Sequence, residues 1–365
     1  MDFTTLVLFL LGLVLLVIGA EALVKGASRM AVLAGVSPLV IGLTVVSFGT
    51  SAPELAVSVS AAYNGTADIA LGNVVGSNIC NVLLILGLSA VIVPLVVHRQ
   101  LVRLDVPVMI VSSGVMWLMC LDGMVSRLDG VLLFGALIVY LIFLIRVSRR
   151  EQRACAEVAP LDGIEATCDR SRRAIVLNLL LIALGLAMLL LGSHWLVAGA
   201  VQLATAMGLS ELVIGLTVVA VGTSLPEIAT SVMAAIRGQR DIAVGNVVGS
   251  NIFNILCILG ITGIVAPDGI AVPASALVLD IPFMTAVAFA CLPIFFVGHR
   301  IDRWEGVLFL IYYAAYTIYL FLMANQHDAL STYGTVLFLG LTPLVALTLL
   351  IRVVRHLRRH EPAQA

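Results

Sequence analysis

Residues 41–87 and 214–260 are one segment written twice. They align without a gap at a constant offset of 173, and 33 of the 47 positions are identical. Both copies are apolar runs, yet each repeats a glutamate, a set of hydroxyls and several asparagines at the same offsets. The 365-residue chain is 61% hydrophobic and 11% charged, whereas soluble chains carry about 25% charged residues. Its solvent is therefore lipid, and it should be an all-α polytopic membrane protein. Shared packing would explain the repeated apolar and small residues. It does not explain repeated Glu, Asn, Ser and Thr inside lipid-embedded helices.

Breaks at charged or Gly/Pro clusters predict eleven spans, at 4–24, 36–63, 68–95, 104–121, 129–146, 174–200, 210–236, 241–266, 275–297, 304–324 and 332–351. The N-terminal run lacks a basic leader and a small-residue cleavage site, so it reads as the first span and not as a signal peptide. With the N-terminus outside, 19 of the 20 Lys and Arg residues fall on the cytoplasmic side, and Arg127 alone falls outside. Basic residues are retained on that side. The C-terminus is then cytoplasmic, and the expected location is a plasma or inner membrane of a prokaryote.

The repeat extends beyond its core. IGAEALVKGA is echoed by LGSHWLVAGA, RLDVPVM by VLDIPFM, and RLDGVLLF by RWEGVLFL. Each unit therefore covers five helices, 1–146 and 174–324. Residues 147–173 form a polar cytoplasmic linker, read as a solvated segment, and 325–365 hold an extra helix and a basic tail. Five is odd, so the second unit enters the membrane inverted. Inverted repeats build many secondary transporters, with the ion site where the units meet at mid-membrane.

The six-residue motifs GTSAPE (49–54) and GTSLPE (222–227) carry the chemistry. A carboxylate at a helix centre costs ~2.5–3.5 kcal/mol, so Glu54 and Glu227 need compensation. A bound cation supplies it; the alternative is that both stay protonated as inert structure. Pro53 and Pro226 remove a helical donor and push aside the carbonyls of Gly49 and Gly222, which predicts a local unwinding with oxygens turned inward. Thr50, Ser51, Thr223 and Ser224 add hydroxyls. This is an oxygen site for hard cations such as calcium or sodium. In the paired motifs DIALGNVVGSNICN and DIAVGNVVGSNIFN, Ser77 and Asn81 share one helix face, as do Ser250 and Asn254. Asp68 and Asp241 read as N-caps. Gly72, Gly76, Gly245 and Gly249 read as packing positions. Asn73, Asn78, Asn246 and Asn251 read as interhelical hydrogen-bond partners.

At these residues the chain resembles the calcium/cation antiporter superfamily, and within it the prokaryotic sodium/calcium exchanger branch with two alpha-repeats. The resemblance covers about residues 1–324. It implies ten helices in two inverted units, with ligands from helices two, three, seven and eight and with helices one and six sliding to alternate access. Carried over, Glu54 and Glu227 resemble the central bidentate ligands. Thr50, Ser51, Thr223, Ser224, Ser77 and Ser250 resemble flanking donors, and the carbonyls of Ser47 and Ala220 resemble backbone ligands. Several relatives carry an aspartate at the Asn81/Asn254 pair. Here both are amides, so two carboxylates face the ion; calcium would neutralise them, and three sodium ions would exceed them by one charge. The eleventh helix lies outside the ten-helix core.

The resulting expectation is an antiporter that exchanges calcium for sodium by alternating access. Alternatives are a proton/calcium, potassium-dependent or other cation antiporter, in which H+ or K+ is a transported partner. A passive channel would not need such tight paired carboxylates. An intramembrane hydrolase would draw on Ser51, Ser77, His194 and Glu227, but His194 stands opposite Glu21 in the other repeat. No enzyme activity, cofactor or nucleic-acid partner is expected; calcium and sodium are cargo, the lipid bilayer is the environment, and a monomer is the expected state. Six scattered cysteines lack a CxxC spacing. Cys155 and Cys168 share the linker without a histidine pair, and Asn64-Gly65-Thr66 reads as a turn.

Overall fold

The computed structural model describes residues 3–64, 67–158, 172–206 and 220–360. Ten spans are complete among them: α1 (Thr4–Ala34), α2 (Pro38–Thr50 and Ala52–Tyr63), α3 (Ile69–Ile92), α4 (Leu101–Asp122), α5 (Arg127–Ser148), α6 (Arg172–Ala206), α8 (Arg240–Val265), α9 (Ala276–Phe296), α10 (Arg303–Ala324) and α11 (Leu330–Arg355). For α7 the described part is Ala220–Thr223 and Leu225–Ile236; its expected beginning at 210 lies outside the described residues. Each predicted span thus has a helix. Two are much longer than apolar content suggests, because α1 runs on through Lys25 and Arg29 and α6 continues past 200. The linker, read as solvated, is helical through Val158 as a continuation of α5. Residues 159–171, with Cys168, lie outside the described residues, as do Gly65 and Thr66.

Glycine decides how the two units meet. In α1, Gly12, Gly19 and Gly26 are seven apart; in α6, Gly185, Gly192 and Gly199 repeat the spacing. The helices run antiparallel along this seam. A Cβ added at Gly12 would lie 2.8 Å from the Gly192 carbonyl oxygen, one at Gly19 would lie 2.9 Å from that of Gly185, and one at Gly26 3.0 Å from that of Asn178. Heptad spacing keeps the small positions on one face of a left-handed crossing. The other contacts between units are reciprocal. Gly87 of α3 meets Gly306 of α10, and Gly260 of α8 meets Gly130 of α5. These four residues bind the third helix of each unit to the fifth of the other.

Short ladders tie the ends of the bundle. β1 (Leu95–Val96) pairs antiparallel with β4 (Arg300–Ile301), and β2 (Met124–Val125) with β3 (Ile270–Ala271). Each joins a loop of one unit to a loop of the other. Glu21 of α1 also pairs with Arg237 at the end of α7.

Two further readings of the sequence are revised. The helix carrying Asp241 starts one residue earlier, at Arg240, and its N-cap is Gln239. Asp241 therefore lies in the first turn, where the helix dipole still favours it. The helix carrying Asp68 already includes Ala67 before it. The packing role holds for Gly245 and Gly249, whose added Cβ atoms would lie 2.9 Å from the Leu39 carbonyl oxygen and 2.6 Å from Ser47 Oγ. The counterpart positions for Gly72 and Gly76, 212–219, lie outside the described residues.

The seam makes a direct prediction. Gly19→Val places methyls against the α6 backbone and should cost about 1–3 kcal/mol, as overpacking does. Thermal unfolding in detergent should show a lowered midpoint, while Gly135→Ala, on the exposed face of α5, should leave it unchanged. Equal midpoints for both variants would remove the seam as a constraint.

Candidate functional site: two buried carboxylates between the repeats

The helix breaks that build the site have a local cause. Pro53 is the second residue of the second piece of α2, in its first turn, and has no N–H to continue the ladder of the first piece. The chain turns at Ser51 (φ −84°, ψ 9°), and the two pieces of α2 are bent by 46°. Ser224, before Pro226, repeats the turn at φ −88° and ψ 7°. Each break leaves its glutamate in the first turn of the piece that follows.

Both carboxyls are shielded from lipid and water. Glu54 is 2% exposed and Glu227 1% exposed. Among the described ion pairs, none supplies a Lys or Arg to either. Ser51 Oγ donates to Glu227 Oε1 at 3.0 Å, a bond from one repeat to the other. Its mirror image is not formed, since Ser224 Oγ has no hydrogen-bond partner among the described residues.

The other expected oxygen donors share this burial. Ser47, Thr50, Ser51, Ser77, Asn81, Ser224, Ser250 and Asn254 are all buried, and Thr223 is half-buried. Among the described residues, Glu54 Oε2, Glu227 Oε2, Asn81 Oδ1, Asn254 Oδ1, Ser224 Oγ and Ser250 Oγ are buried without a hydrogen-bond partner. A buried unpartnered polar atom costs about 1–3 kcal/mol. Six of the expected donors carry such an atom, every one of them an oxygen, the kind of atom that a hard cation would satisfy. Among the described residues no cluster of three or more His, Cys, Asp and Glu comes together. Hydroxyls and amides, not further carboxylates, make up the rest of this set.

The amide nitrogens explain how the oxygens are aimed. Asn73 Nδ2 donates to the Glu54 carbonyl at 3.2 Å and to Ser58 Oγ at 3.0 Å. Asn246 Nδ2 donates to Ser231 Oγ at 2.9 Å, and Thr50 Oγ1 donates to Asn246 Oδ1 at 3.3 Å. Across the centre, Asn254 Nδ2 donates to Asn78 Oδ1 at 3.0 Å and Asn81 Nδ2 donates to Asn251 Oδ1 at 3.2 Å. With Nδ2 engaged there, the Oδ1 atoms of Asn81 and Asn254 are left without a hydrogen-bond partner among the described residues. Asn78 and Asn251 in turn reach the thioether sulfurs of Met284 and Met109 at 3.4 and 3.3 Å. The four asparagines read as interhelical partners do act as such here. Ser58, Ser231, Met109 and Met284 were not singled out from sequence, although each pair stands at matching places in the two repeats.

Asn81 and Asn254 also open wide, π-type turns, Asn81–Leu86 and Asn254–Leu259. Such turns often occur at functional sites. The even spacing of four from Ser77 to Asn81 gives no sign of them.

The backbone oxygens differ from expectation. The Gly222 carbonyl does not turn toward the carboxyls; it accepts from Ser193 Oγ of α6 at 2.8 Å. The Ser47 carbonyl accepts from Ser51 N at 3.0 Å and Thr50 Oγ1 at 3.3 Å. At the second break, Ser224 N bonds to Val221 O, one residue along from the Ala220 carbonyl. The expected local unwinding is present as a one-residue turn at Ser51 and at Ser224, while the carbonyls of Gly222 and Ser47 are taken by the hydrogen bonds above.

Comparison with known proteins agrees with this architecture. The sequence profile of the sodium/calcium exchanger protein family matches residues 4–146 and 177–322. The chain is 37% identical to the inner membrane protein YrbG of Escherichia coli over 78% of its length and 87% of the relative. It is 34% identical to the sodium/calcium exchanger MaX1 of Methanosarcina acetivorans, over 86% of this chain and 97% of that one. Solved structures of the exchanger NCX_Mj superpose with a TM-score of 0.73 at 33% identity, covering 86% of this chain and 97% of theirs. With two inverted units and a shared fold over most of its length, the chain belongs to the sodium/calcium exchanger family, a family of membrane transporters and not of enzymes.

Proposed function

We propose that the protein exchanges calcium for sodium across the membrane by alternating access. The observation that carries this reading is the pair of buried, unpaired carboxyls together with the orphaned oxygens of the other expected donors. Glu54 and Glu227 serve as the central ligands. Oxygens of Thr50, Ser51, Ser77, Asn81 and their counterparts Thr223, Ser224, Ser250 and Asn254 surround them. The Ser47 and Ala220 carbonyls join only if the hydrogen bonds at the breaks rearrange.

The mechanism follows from charge. With no ion bound, two carboxylates sit uncompensated in a low-dielectric interior, and moving them between faces is costly. One calcium or two sodium ions cancel their charge, and the loaded site can then reorient. The two cations compete for one set of oxygens, so one leaves as the other enters. The α1–α6 pair carries the gating displacement, and the basic ends of the helices face the cytoplasm of a plasma or inner membrane. No H+ or K+ is required by this balance, and one chain contains the whole site.

Two measurements test the reading. In sodium-loaded proteoliposomes the wild type should accumulate calcium-45 as long as the sodium gradient lasts. Glu54→Gln and Glu227→Gln should each weaken apparent calcium affinity by about a hundredfold, as loss of roughly 3 kcal/mol implies. Uptake that survives in both variants would refute the ligand assignment. The charge count also predicts electroneutral exchange of two sodium ions for one calcium. Imposing a potassium–valinomycin potential of either sign should leave the uptake rate unchanged, and a steep response to potential would show that a third sodium ion is carried.

A further inference from the structure

The extra helix α11 stands off from the rest of the bundle. It lies outside the two segments matched by the exchanger family, so the ion site gives no reason for its presence. It is fastened at both ends. At one end Tyr333 Oη donates to the Ala315 carbonyl at 3.0 Å, and the Phe338 ring packs edge-on against Phe283 and Tyr319. At the other, Arg352 pairs with the fully buried Glu305 and lies 4.6 Å over the Trp304 ring. Between these fastenings α11, α9 and α10 enclose an apolar groove of about 700 Å³. Ala286 and Phe289 of α9 and Ala346 of α11 remain exposed along it.

The dimensions of the groove select its occupant. Its lining on α11 runs from Thr342 to Val353. The eleven steps between them, at 1.5 Å each, make about 16 Å, the depth of one leaflet in a hydrocarbon core of ~30 Å. Arg103 lines both this groove and a second cavity of about 900 Å³, whose polar side chains are His98, Arg99, Gln100, Asp241 and His299 among apolar neighbours such as Val96 and Phe143. An apolar slot one leaflet deep therefore opens, at a shared arginine, onto a pocket with more basic than acidic side chains. That is the shape and polarity of a two-part amphiphile.

We propose that this is a binding site for an anionic phospholipid from the leaflet on the arginine-bearing face. An acyl chain lies between α9, α10 and α11, and the phosphate sits at Arg103 and Arg99. In a bilayer the chain gains no hydrophobic energy by entering, because surrounding lipid is equally apolar. Selection therefore rests on the headgroup, and basic pockets between membrane helices are suited to anionic headgroups. Asp241 opposes the arginines and restricts the phosphate to their side of the cavity. The proposal does not depend on which ions the central site carries.

The test uses the full-length protein, delipidated in detergent and titrated separately with dioleoyl phosphatidylglycerol, dioleoyl phosphatidylcholine and inorganic phosphate. Native mass spectrometry counts adducts, and thermal unfolding reports binding independently. The wild type should retain phosphatidylglycerol about tenfold over phosphatidylcholine and show a raised midpoint with the former. Inorganic phosphate should shift nothing. The exposed double substitution Arg99→Gln/Arg103→Gln should bring the ratio to about one while the lipid-free midpoint stays the same. Ala346→Trp, and Ala286→Trp from the facing wall, should fill the groove and remove both adducts. Equal retention of the two lipids by the wild type would overturn the proposal. So would an unchanged ratio in the double variant, a shift with phosphate alone, or a dimer mass in place of lipid adducts.

Discussion

Two carboxyl groups in an interior that offers them no basic partner among the described residues set the terms for the rest of this molecule. Charged side chains at membrane depth are tolerated where they face the protein interior and find compensation there. Glu54 and Glu227 are buried to within 2% and 1% of full enclosure. Their neighbours supply oxygens, not cations. A lysine or arginine in the shell would cancel the charge permanently and leave nothing for a mobile ion to do. The asparagines perform the complementary task, committing N–H groups to one another and to serines so that acceptors remain directed inward.

The duplication places these groups with few separate decisions. One five-helix unit, used twice in opposite senses, brings two breaks, two glutamates and two asparagine pairs to a common centre. The scaffold around them is held by glycine contacts between units, Gly87 with Gly306 and Gly130 with Gly260. Symmetry is not complete. Ser51 bonds the opposite repeat's glutamate while Ser224 has no such bond. The two halves of the site are thus in different states within one conformation.

Much of this was legible in the sequence, for identifiable reasons. Helices in lipid must satisfy their own backbones, so apolar runs map onto spans, and gapless identity over 47 residues maps onto a second copy of the same fold. Glu54 and Glu227 stood out because carboxylates are expensive in such runs. What could not be read depends on relations between distant segments. Periodicity does not show that Ser193 of α6 takes the Gly222 carbonyl. Nor does it show that Tyr140 and Gln100 hold the buried Asp105, with Tyr316 doing the same for Asp280. The π-type turns leave no composition signature. Helix ends were misjudged where charged residues such as Lys25 and Arg29 continue a helix beyond the hydrocarbon. The heptad of glycines in α1 and α6 was present in the sequence and is easily passed over, because scattered glycines in an apolar run carry little weight singly.

That seam has a mechanical consequence. Backbone lies against backbone at Gly12, Gly19 and Gly26 over about 21 Å of helix. A slip of either helix by one turn would drive a larger side chain into space that only hydrogen can occupy. The two helices are therefore yoked as the arms of one lever, and whatever displaces one carries the other with it.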